Sequence, residues 1–553
     1  MDINIRVAGE AGQGVQTTGN LLVGALANMG LHVAAAKSYM SRIRGGLNWF
    51  DIRVGDAPLW AGREDADLLV ALTDEALEAL RPGVTDGGLI LYDGEKADGA
   101  VAIDFTQAAK DVGASKVMAN TVAAGAIFAA LGYDVDPLCD YLDEQFGKKG
   151  AEVVQQNVNC ARKGAELASA CAGTVTGPAP AEAPATLANG ADATGLAAAT
   201  GGVKVVTAYP MTPGTATFTV LASVADDYGI VVEQAEDEIA AVNMLCGATY
   251  AGAPALATTS GGGFALMAEG LSLAGIMELP ICILIAQRPG PATGLPTRTG
   301  QQDLQFATRA GHGEFARAIY APGTVEQCYT LMRRALESAH KWQTPTILLT
   351  DQFLQDFQTN VEPLDTEYGP IDRCLVEAGA DYKRYAVTDS GVSPRAIPGG
   401  DAFVVMDSDE HTDAGKISED LIGHMAQQDK RMRKLDGMRS EALPPEWYGP
   451  KNAERLMICW GSTYGACREA VDANNADDRR KTAAMLHFAQ VYPIDADAVR
   501  KTIGKRDEVY CVEGNQTGQF ADLLREQGAL SDAKLLTRYD GMPFTSGYIL
   551  EAL

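Results

Sequence analysis

Residues 203–215, VKVVTAYPMTPGT, join a β-branched apolar run to two prolines that bracket Thr212. The run predicts a strand. The prolines fix the backbone beyond its C-terminal edge, where open α/β sheets bind ligands, and aim the Thr212 hydroxyl from that edge. Residues 231–253, VVEQAEDEIAAVNMLCGATYAGA, predict a strand passing into a helix that opens on Glu236, Asp237 and Glu238. Acids in a first helical turn commonly serve only as partners of the helix dipole, so residue chemistry alone leaves their role open. ATTSGGGFALM (257–267) predicts a strand, three glycines that permit close backbone approach, and a helix. AQRPGPATGLPTRTGQQDL (286–304) is a Gly- and Pro-rich loop carrying Arg288 and Arg298. Two guanidiniums there suit a carboxylate clamp, and an ordered surface loop would read the same way.

With ICILIAQ (281–287) and TPTILLTD (344–351) as further strands, the alternation of strand and helix predicts an α/β domain over 188–365. Before it, CAGTVTGPAPAEAPAT (171–186) has the Ala, Pro, Gly and Thr composition of an extended linker, placed at 171–187. Residues 1–170 repeat the alternation with IRVAG, HVAAA, DLLVAL and LILYD, which reads as a parallel α/β unit. Residues 366–450 lack that rhythm and carry the basic run KRMRK (430–434), expected to be a solvated helix face. The rhythm returns in a last α/β domain, 451–553. The fold class expected is α/β, with several open parallel-sheet domains.

In the first domain GEAGQG (9–14) follows a strand and opens a helix. Backbone N–H groups and the helix dipole could hold an anion there, and a tight strand-to-helix turn is an equally good reading. The spacing is GxxGxG, and the second strand lacks the acid a dinucleotide ribose needs, which argues against NAD. SYMSRIRGGLNWF (38–50) gathers Arg42, Arg44, Gly45, Gly46 and Asn48 in a loop suited to a polar or phosphorylated group, or to an interface.

Composition bounds the rest. Of 553 residues 46% are apolar and 21% charged, enough for several cores. Forty-five Lys and Arg against 72 Asp and Glu leave a net charge of -27, which argues against nucleic acid or anionic membrane as a partner. The longest apolar stretch, 264–286, is broken by Glu269, Glu278 and Pro280 and is not expected to span a bilayer. With an acid at position 2 and a strand-like run straight after it, neither a signal nor a transit peptide is expected at the start. Ten cysteines stand singly, without CxxC, as in a reduced cytoplasmic protein, and offer no cluster-binding set. Six histidines form no HxH or HExxH, so no metal site is expected in this chain.

Taken in order, GEAGQG with SRIRGGLN, AYPMTPGT, EDEIAA, TTSGGGFALMAEGL, ELPICILIAQRPGPATGLPTRTGQQDL and TILLTDQFLQD resemble the 2-oxoacid:ferredoxin oxidoreductase family. The resemblance is to its alpha subunit with a gamma domain fused in front. CWGSTYG (459–465) and VEGNQTGQF (512–520) resemble that subunit's last domain, so it covers nearly the whole chain. Ala11 departs from a more usual glycine, and Gly214 and Ala292 each stand where the family pattern has serine.

The resemblance implies a gamma-type domain at 1–170, a pyrimidine-type thiamine-diphosphate domain at 188–365, a connecting region at 366–450 and a transketolase C-terminal-like domain at 451–553. It implies oxidative decarboxylation of a 2-oxo acid to an acyl-CoA and CO2, with electrons passed to ferredoxin; 2-oxoglutarate is the most similar type. A GDG motif with its following Asn, which would hold Mg2+ and diphosphate, is absent, as are cluster cysteines. Both Mg2+ and the [4Fe-4S] cluster are then expected on a beta subunit, the other half of an (αβ)2 assembly, which shares the thiamine diphosphate. Carried over residue by residue, Glu238 hydrogen-bonds the cofactor's pyrimidine. Thr212 and Arg288 act in catalysis and hold the substrate carboxylate, and Arg298 serves a second carboxylate. Tyr209, Pro210 and Gly262 contact the cofactor. Gly12, Gln13, Gly14, Arg42, Arg44, Gly45, Gly46 and Asn48 form the coenzyme A loop of a domain that closes over the active site. A transketolase- or E1-like thiamine enzyme, and a non-catalytic nucleotide-binding or assembly subunit, are the competing readings.

Overall fold

The computed structural model describes residues 1–42, 45–477 and 479–553, so Arg44 lies outside the described residues. The chain forms two compact units. The first comprises Met1–Asn189, Asp356–Pro363 and Thr545–Glu551; the second comprises Gly190–Gln355, Leu364–Phe544 and Ala552–Leu553.

The sheet of the first unit runs in the order Val101–Ala102, Val84–Tyr92, Ala66–Ala71, Asp2–Ala11, Gly45–Gly55, His32–Ser38, Gln358–Asn360 and Leu187–Ala188. The strands from Asp2–Ala11 outward to Val101–Ala102 are parallel. Gly45–Gly55 is antiparallel to both of its neighbours, so this sheet is mixed where a wholly parallel one was expected. The reason lies in WFDIRV (49–54), whose alternation buries Phe50, Ile52 and Val54 and makes a strand of what had read as the end of a loop.

Residues 171–187 are extended, as their composition implies, but they are strapped to the first unit. The N–H groups of Gly173 and Val175 donate to the carbonyls of Ala129 and Ala130, and those of Ala181 and Ala183 both donate to Gly30. Cys171 and Val175 are buried, and the unit ends at Asn189. Residues 356–363, expected to close the second domain, return to the first unit, where Gln358–Asn360 pairs with His32–Ser38 and Leu187–Ala188.

The second unit holds a seven-stranded sheet in the order Gln490–Tyr492, Ala318–Tyr320, Thr346–Asp351, Cys282–Gln287, Ala255–Thr259, Val205–Ala208 and Val231–Gln234. It also holds a five-stranded sheet in the order Glu446–Tyr448, Ala483–Phe488, Arg455–Trp460, Glu508–Glu513 and Lys534–Thr537. Every residue of Cys282–Gln287 and Thr346–Asp351 is buried, as their central apolar runs, CILIA and ILL, lead one to expect of parallel strands covered on both faces. Gln490–Tyr492 leaves the last expected domain to pair antiparallel with Ala318–Tyr320, which joins the two sheets through one core.

The basic run is not a solvated face. It lies in the helix Leu421–Ser440, and Lys430, Arg431 and Lys434 are buried. Lys430 and Lys434 form ion pairs with fully buried Glu278 at 2.7 and 2.6 Å. Lys434 also donates to the Gln343 carbonyl at 2.8 Å and Lys430 to Ser393 Oγ at 2.9 Å. Burial pushes the Glu278 carboxyl up, but Lys434, Lys430 and Arg384 hold it far below the usual range. These pairs pin the connecting region to the seven-stranded sheet's flanking helices.

Candidate functional site

The three acids of EDE divide their tasks. Asp237, the N-cap of the helix Glu238–Tyr250, accepts a bond from the Ala240 N–H at 2.7 Å. Glu236 is exposed. Glu238 is only 2% exposed, and its Oε1 has no hydrogen-bond partner among the described residues. Burial raises the pKa of Glu238, with a further push from the Asp237 charge, against a lowering backbone hydrogen bond. An unpaired buried carboxyl oxygen costs about 1–3 kcal/mol, the mark of a group kept for a ligand.

The three glycines belong to this carboxyl and its surroundings. They open the short helix Gly261–Leu266 directly after the strand Ala255–Thr259. A methyl on Gly263 would lie 2.9 Å from the Glu238 carboxyl carbon and closer still to Oε1 and to Thr259 Oγ1. A methyl on Gly261 would collide with the Asp303 carboxyl. Gly262 has only the Ala292 carbonyl near its missing side chain, at 3.7 Å. The turn is therefore wedged between two carboxyls, with its middle glycine turned to open space. Gly214 is explained similarly: a Cβ there would meet the Thr259 carbonyl oxygen at 2.5 Å, which leaves no room for a serine without a backbone shift.

The structure brings Thr212 and Arg288 together. Arg288 Nη1 donates to the Thr212 carbonyl at 2.7 Å, so the contact between them runs through the Thr212 backbone. The Thr212 carbonyl takes one of the five N–H groups of the guanidinium fork. Burial lowers the Arg288 pKa, and Asp303 opposes that shift. Arg298 is placed differently: its Nη1 approaches Met542 Sδ at 3.9 Å, and its stem packs beside Gly541. Tyr209 is 41% exposed and Pro210 half-buried at the end of Val205–Ala208. The loop is clamped at its far end by Gln301, which donates to the Trp460 carbonyl at 2.8 Å and accepts the Gly514 N–H at 2.8 Å.

Sequence reasoning missed Asp303 and Gln287. Asp303 reads as an ordinary helix N-cap, and Gln287 as a buried strand end; nothing local marks either for the site. The strand end Thr258–Ser260 also carries buried hydroxyls at Thr258 and Ser260 without partners among the described residues.

In the first unit Gly12 and Gly14 adopt φ of 92° and 86°, and Gly14 opens the uncapped helix Val15–Asn28. A cavity of about 410 Å³ elsewhere is lined by none of the expected residues. A cavity of about 380 Å³, by contrast, is lined by Gly12, Gly14, Lys37, Arg42 and Asn48, and one of about 350 Å³ by Gly12, Gln13, Gly14 and Lys116. Asn48 Oδ1 accepts from the Met40 N–H at 2.7 Å, and its Nδ2 donates to the Gly46 carbonyl at 3.3 Å. Gly45 and Gly46 begin the strand Gly45–Gly55 with φ of 72° and 79°.

No helix of the described residues is long and apolar enough to cross a membrane. The ten cysteines are free, and nine of them are buried.

Residues 4–167 match the family described as pyruvate ferredoxin/flavodoxin oxidoreductase, and residues 196–430 match its thiamine-diphosphate-binding domain. A 2-oxoacid:ferredoxin oxidoreductase alpha subunit from Sulfolobus sp. is 28% identical over 99% of this chain and 96% of its own length. The 2-oxoglutarate oxidoreductase subunit KorA of Mycobacterium tuberculosis is 29% identical over 99% of this chain and 90% of its own. Among solved structures, the 2-oxoglutarate:ferredoxin oxidoreductase from Magnetococcus marinus, with 2-oxoglutarate, coenzyme A and succinyl-CoA bound, superposes with a TM-score of 0.93 at 30% identity, covering 100% of this chain and 98% of that one. With a buried carboxyl at a glycine turn in the domain that matches a thiamine-diphosphate-binding model, and full-length likeness on both sides of it, the chain belongs to the 2-oxoacid:ferredoxin oxidoreductase family and is an oxidoreductase subunit.

Proposed function

We propose that this chain is the alpha subunit, with a gamma-type domain at its N-terminus, of an enzyme that converts 2-oxoglutarate and coenzyme A to succinyl-CoA and CO2. Electrons pass to ferredoxin through a [4Fe-4S] cluster on a beta subunit, which also supplies Mg2+, in an (αβ)2 assembly. The observation that carries this reading is the buried Glu238 carboxyl pressed against Gly263, its Oε1 without a partner among the described residues.

Thiamine diphosphate supplies, when bound, the nucleophilic carbon that adds to the keto group and the electron sink for loss of CO2. The residues fit it. Glu238 Oε1 lacks a partner among the described residues and can hold a proton against the pyrimidine N1′, and burial keeps that carboxyl readier to be protonated than an exposed glutamate. Gly262 leaves the space for close approach, with only the Ala292 carbonyl near its missing side chain.

Arg288 binds the 2-oxo acid's carboxylate through the part of its fork not engaged by Thr212, and the Thr212 hydroxyl adds a third bond, orienting the keto carbon. Arg298, on the same loop, takes the distal carboxylate of a dicarboxylic substrate. The cavity beside Gly12, Gly14, Lys37 and Arg42 has the positive charge and uncapped helix end that suit the phosphates of coenzyme A.

The test is an oxo-acid panel with the enzyme purified together with its partner chain. Arg298→Ala should lower kcat/KM for 2-oxoglutarate about 30- to 1000-fold while leaving a monocarboxylic oxo acid within about threefold. Equal loss on both substrates would overturn the assignment of the distal carboxylate.

A further inference from the structure

The helix Leu421–Ser440 is anchored through its second half and bare along its first. Gln427 donates to the Tyr385 carbonyl at 2.9 Å, and the ion pairs of Lys430 and Lys434 with Glu278 fix the turns that follow. The first turn is fixed too, because the Asp420 carboxylate accepts the N–H groups of Ile422 and Gly423 at 3.2 and 3.1 Å. Between these anchors Leu421 and Ile422 are 78% and 79% exposed and Met425 is 64% exposed. Ile417, just before the cap, is also 64% exposed. Single exposed apolar residues are ordinary, but four large ones within 417–425, on a helix tip held at both ends, form a patch.

The segment that carries this tip is acidic. Residues 401–429 hold eight Asp or Glu against one Lys. The stretch before the tip is drawn to it at Gly415, where a Cβ would meet the Val405 carbonyl at 2.4 Å. Glu410 and Asp413 are paired with Arg431 and Lys383, but Asp401, Asp409, Glu419 and Asp429 are exposed. A surface that receives the tip must therefore offer an apolar hollow ringed by Lys or Arg. A second copy of this chain presenting the same patch would set acid against acid, which selects against it.

Resting on the reading of this chain as one subunit of a lasting complex, we propose that Ile417, Leu421, Ile422 and Met425 are the anchor on which the beta subunit docks, through an apolar hollow with a basic rim. Lasting interfaces are the more apolar ones, whereas a partner that comes and goes leaves its patch in water for most of the time. The tip suits the partner that stays. Because the cap and the buried lysines already hold the helix, docking orders little that was free before. The exposed acids set the orientation of the partner and speed its approach.

The test uses the full chain co-expressed with its beta subunit, with the mass of the complex read by light scattering and the affinity by dissociation on dilution. The double variant Leu421→Glu/Ile422→Glu keeps the helix, since acids in a first turn favour it, and its melting temperature should match the parent's. Its Kd for the beta subunit should rise at least about 30-fold. Should the double change lower the melting temperature, Met425→Glu, outside the first turn, carries the same test. Glu419→Lys/Asp429→Lys should weaken association at low salt and lose that effect at about 1 M salt, where charges are screened; tighter association would contradict the basic rim. Retention of the beta subunit as tightly as in the parent by Leu421→Glu/Ile422→Glu overturns the proposal. So does a variant that keeps the beta subunit but loses a second copy of this chain, or one that keeps its assembly but needs more ferredoxin for turnover, since each gives the tip to another occupant. A parent chain that carries no beta subunit refutes the subunit reading and this surface with it. If parent and variant carry the beta subunit equally, the surface alone is refuted.

Discussion

Replacing Gly263 with alanine puts a methyl where the Glu238 carboxyl now sits. The added Cβ would be 2.9 Å from the carboxyl carbon and closer to Oε1, against 3.4–4 Å for an ordinary contact. The colliding atoms are the ends of the Glu238 and Thr259 side chains, not backbone, so the overlap is relieved by moving the carboxyl rather than by unfolding the turn. A displacement of about 1 Å at a catalytic group costs on the order of 100-fold in rate, equivalent to about 2.7 kcal/mol. Steady-state turnover of the assembled enzyme with saturating thiamine diphosphate and 2-oxoglutarate should therefore fall about 100-fold in kcat, with complex assembly and melting temperature nearly unchanged. The neighbouring glycines serve as internal comparisons. Gly262→Ala meets only the Ala292 carbonyl at 3.7 Å, so it should keep kcat at saturation and raise the cofactor concentration required. Gly261→Ala strikes the Asp303 carboxyl instead of Glu238 and should lower kcat less than Gly263→Ala does. A Gly263→Ala enzyme with the parent's kcat would refute the placement of Glu238 at the reacting end of the cofactor.

Two further expectations concern stability. Glu278→Gln leaves the ammonium groups of Lys430 and Lys434 buried without a carboxylate, which should cost about 3–5 kcal/mol. Burial already lowers the Lys434 pKa to about 8, so the loss should shrink at higher pH as the lysine gives up its proton; a melting temperature equal to the parent's at neutral pH would contradict this. His487 is fully buried with its Nε2 on the Gly461 carbonyl at 3.1 Å, and burial lowers its pKa to about 4 against that bond, so it stays neutral in the fold while the unfolded chain takes up a proton below 6.5. Its contribution is present above pH 6.5 and lost as pH falls towards 4, about 3 kcal/mol in all. His487→Gln should therefore show a shallower fall of melting temperature over that window, and parallel curves would contradict the assignment.

The parts of the fold that depend on local pattern were legible. Central apolar runs such as CILIA and ILL mark buried parallel strands, and the order of glycine and proline motifs marks the family. Features that depend on distant partners were not. KRMRK reads as a solvated face because Glu278, which neutralises it, lies on another element. The alternation in WFDIRV was hidden behind the glycine-rich loop before it, so an antiparallel strand went unread. In the site, Glu238 was separable from Glu236 only through the family resemblance, and burial separates them physically. Asp303 carried no local signal, since its surroundings, Gln287 and Gly261, come from two other segments.

The central claim is that this chain contributes the carboxyl that activates the cofactor. It is tested most directly by 2-oxoglutarate-dependent reduction of a dye acceptor by the assembled enzyme carrying Glu238→Gln or Glu236→Gln. Glu238→Gln should lower kcat by about 100- to 1000-fold with the subunits still associated, and Glu236→Gln should stay within about twofold of the parent. A crippled Glu236→Gln enzyme beside a nearly normal Glu238→Gln enzyme would contradict the account.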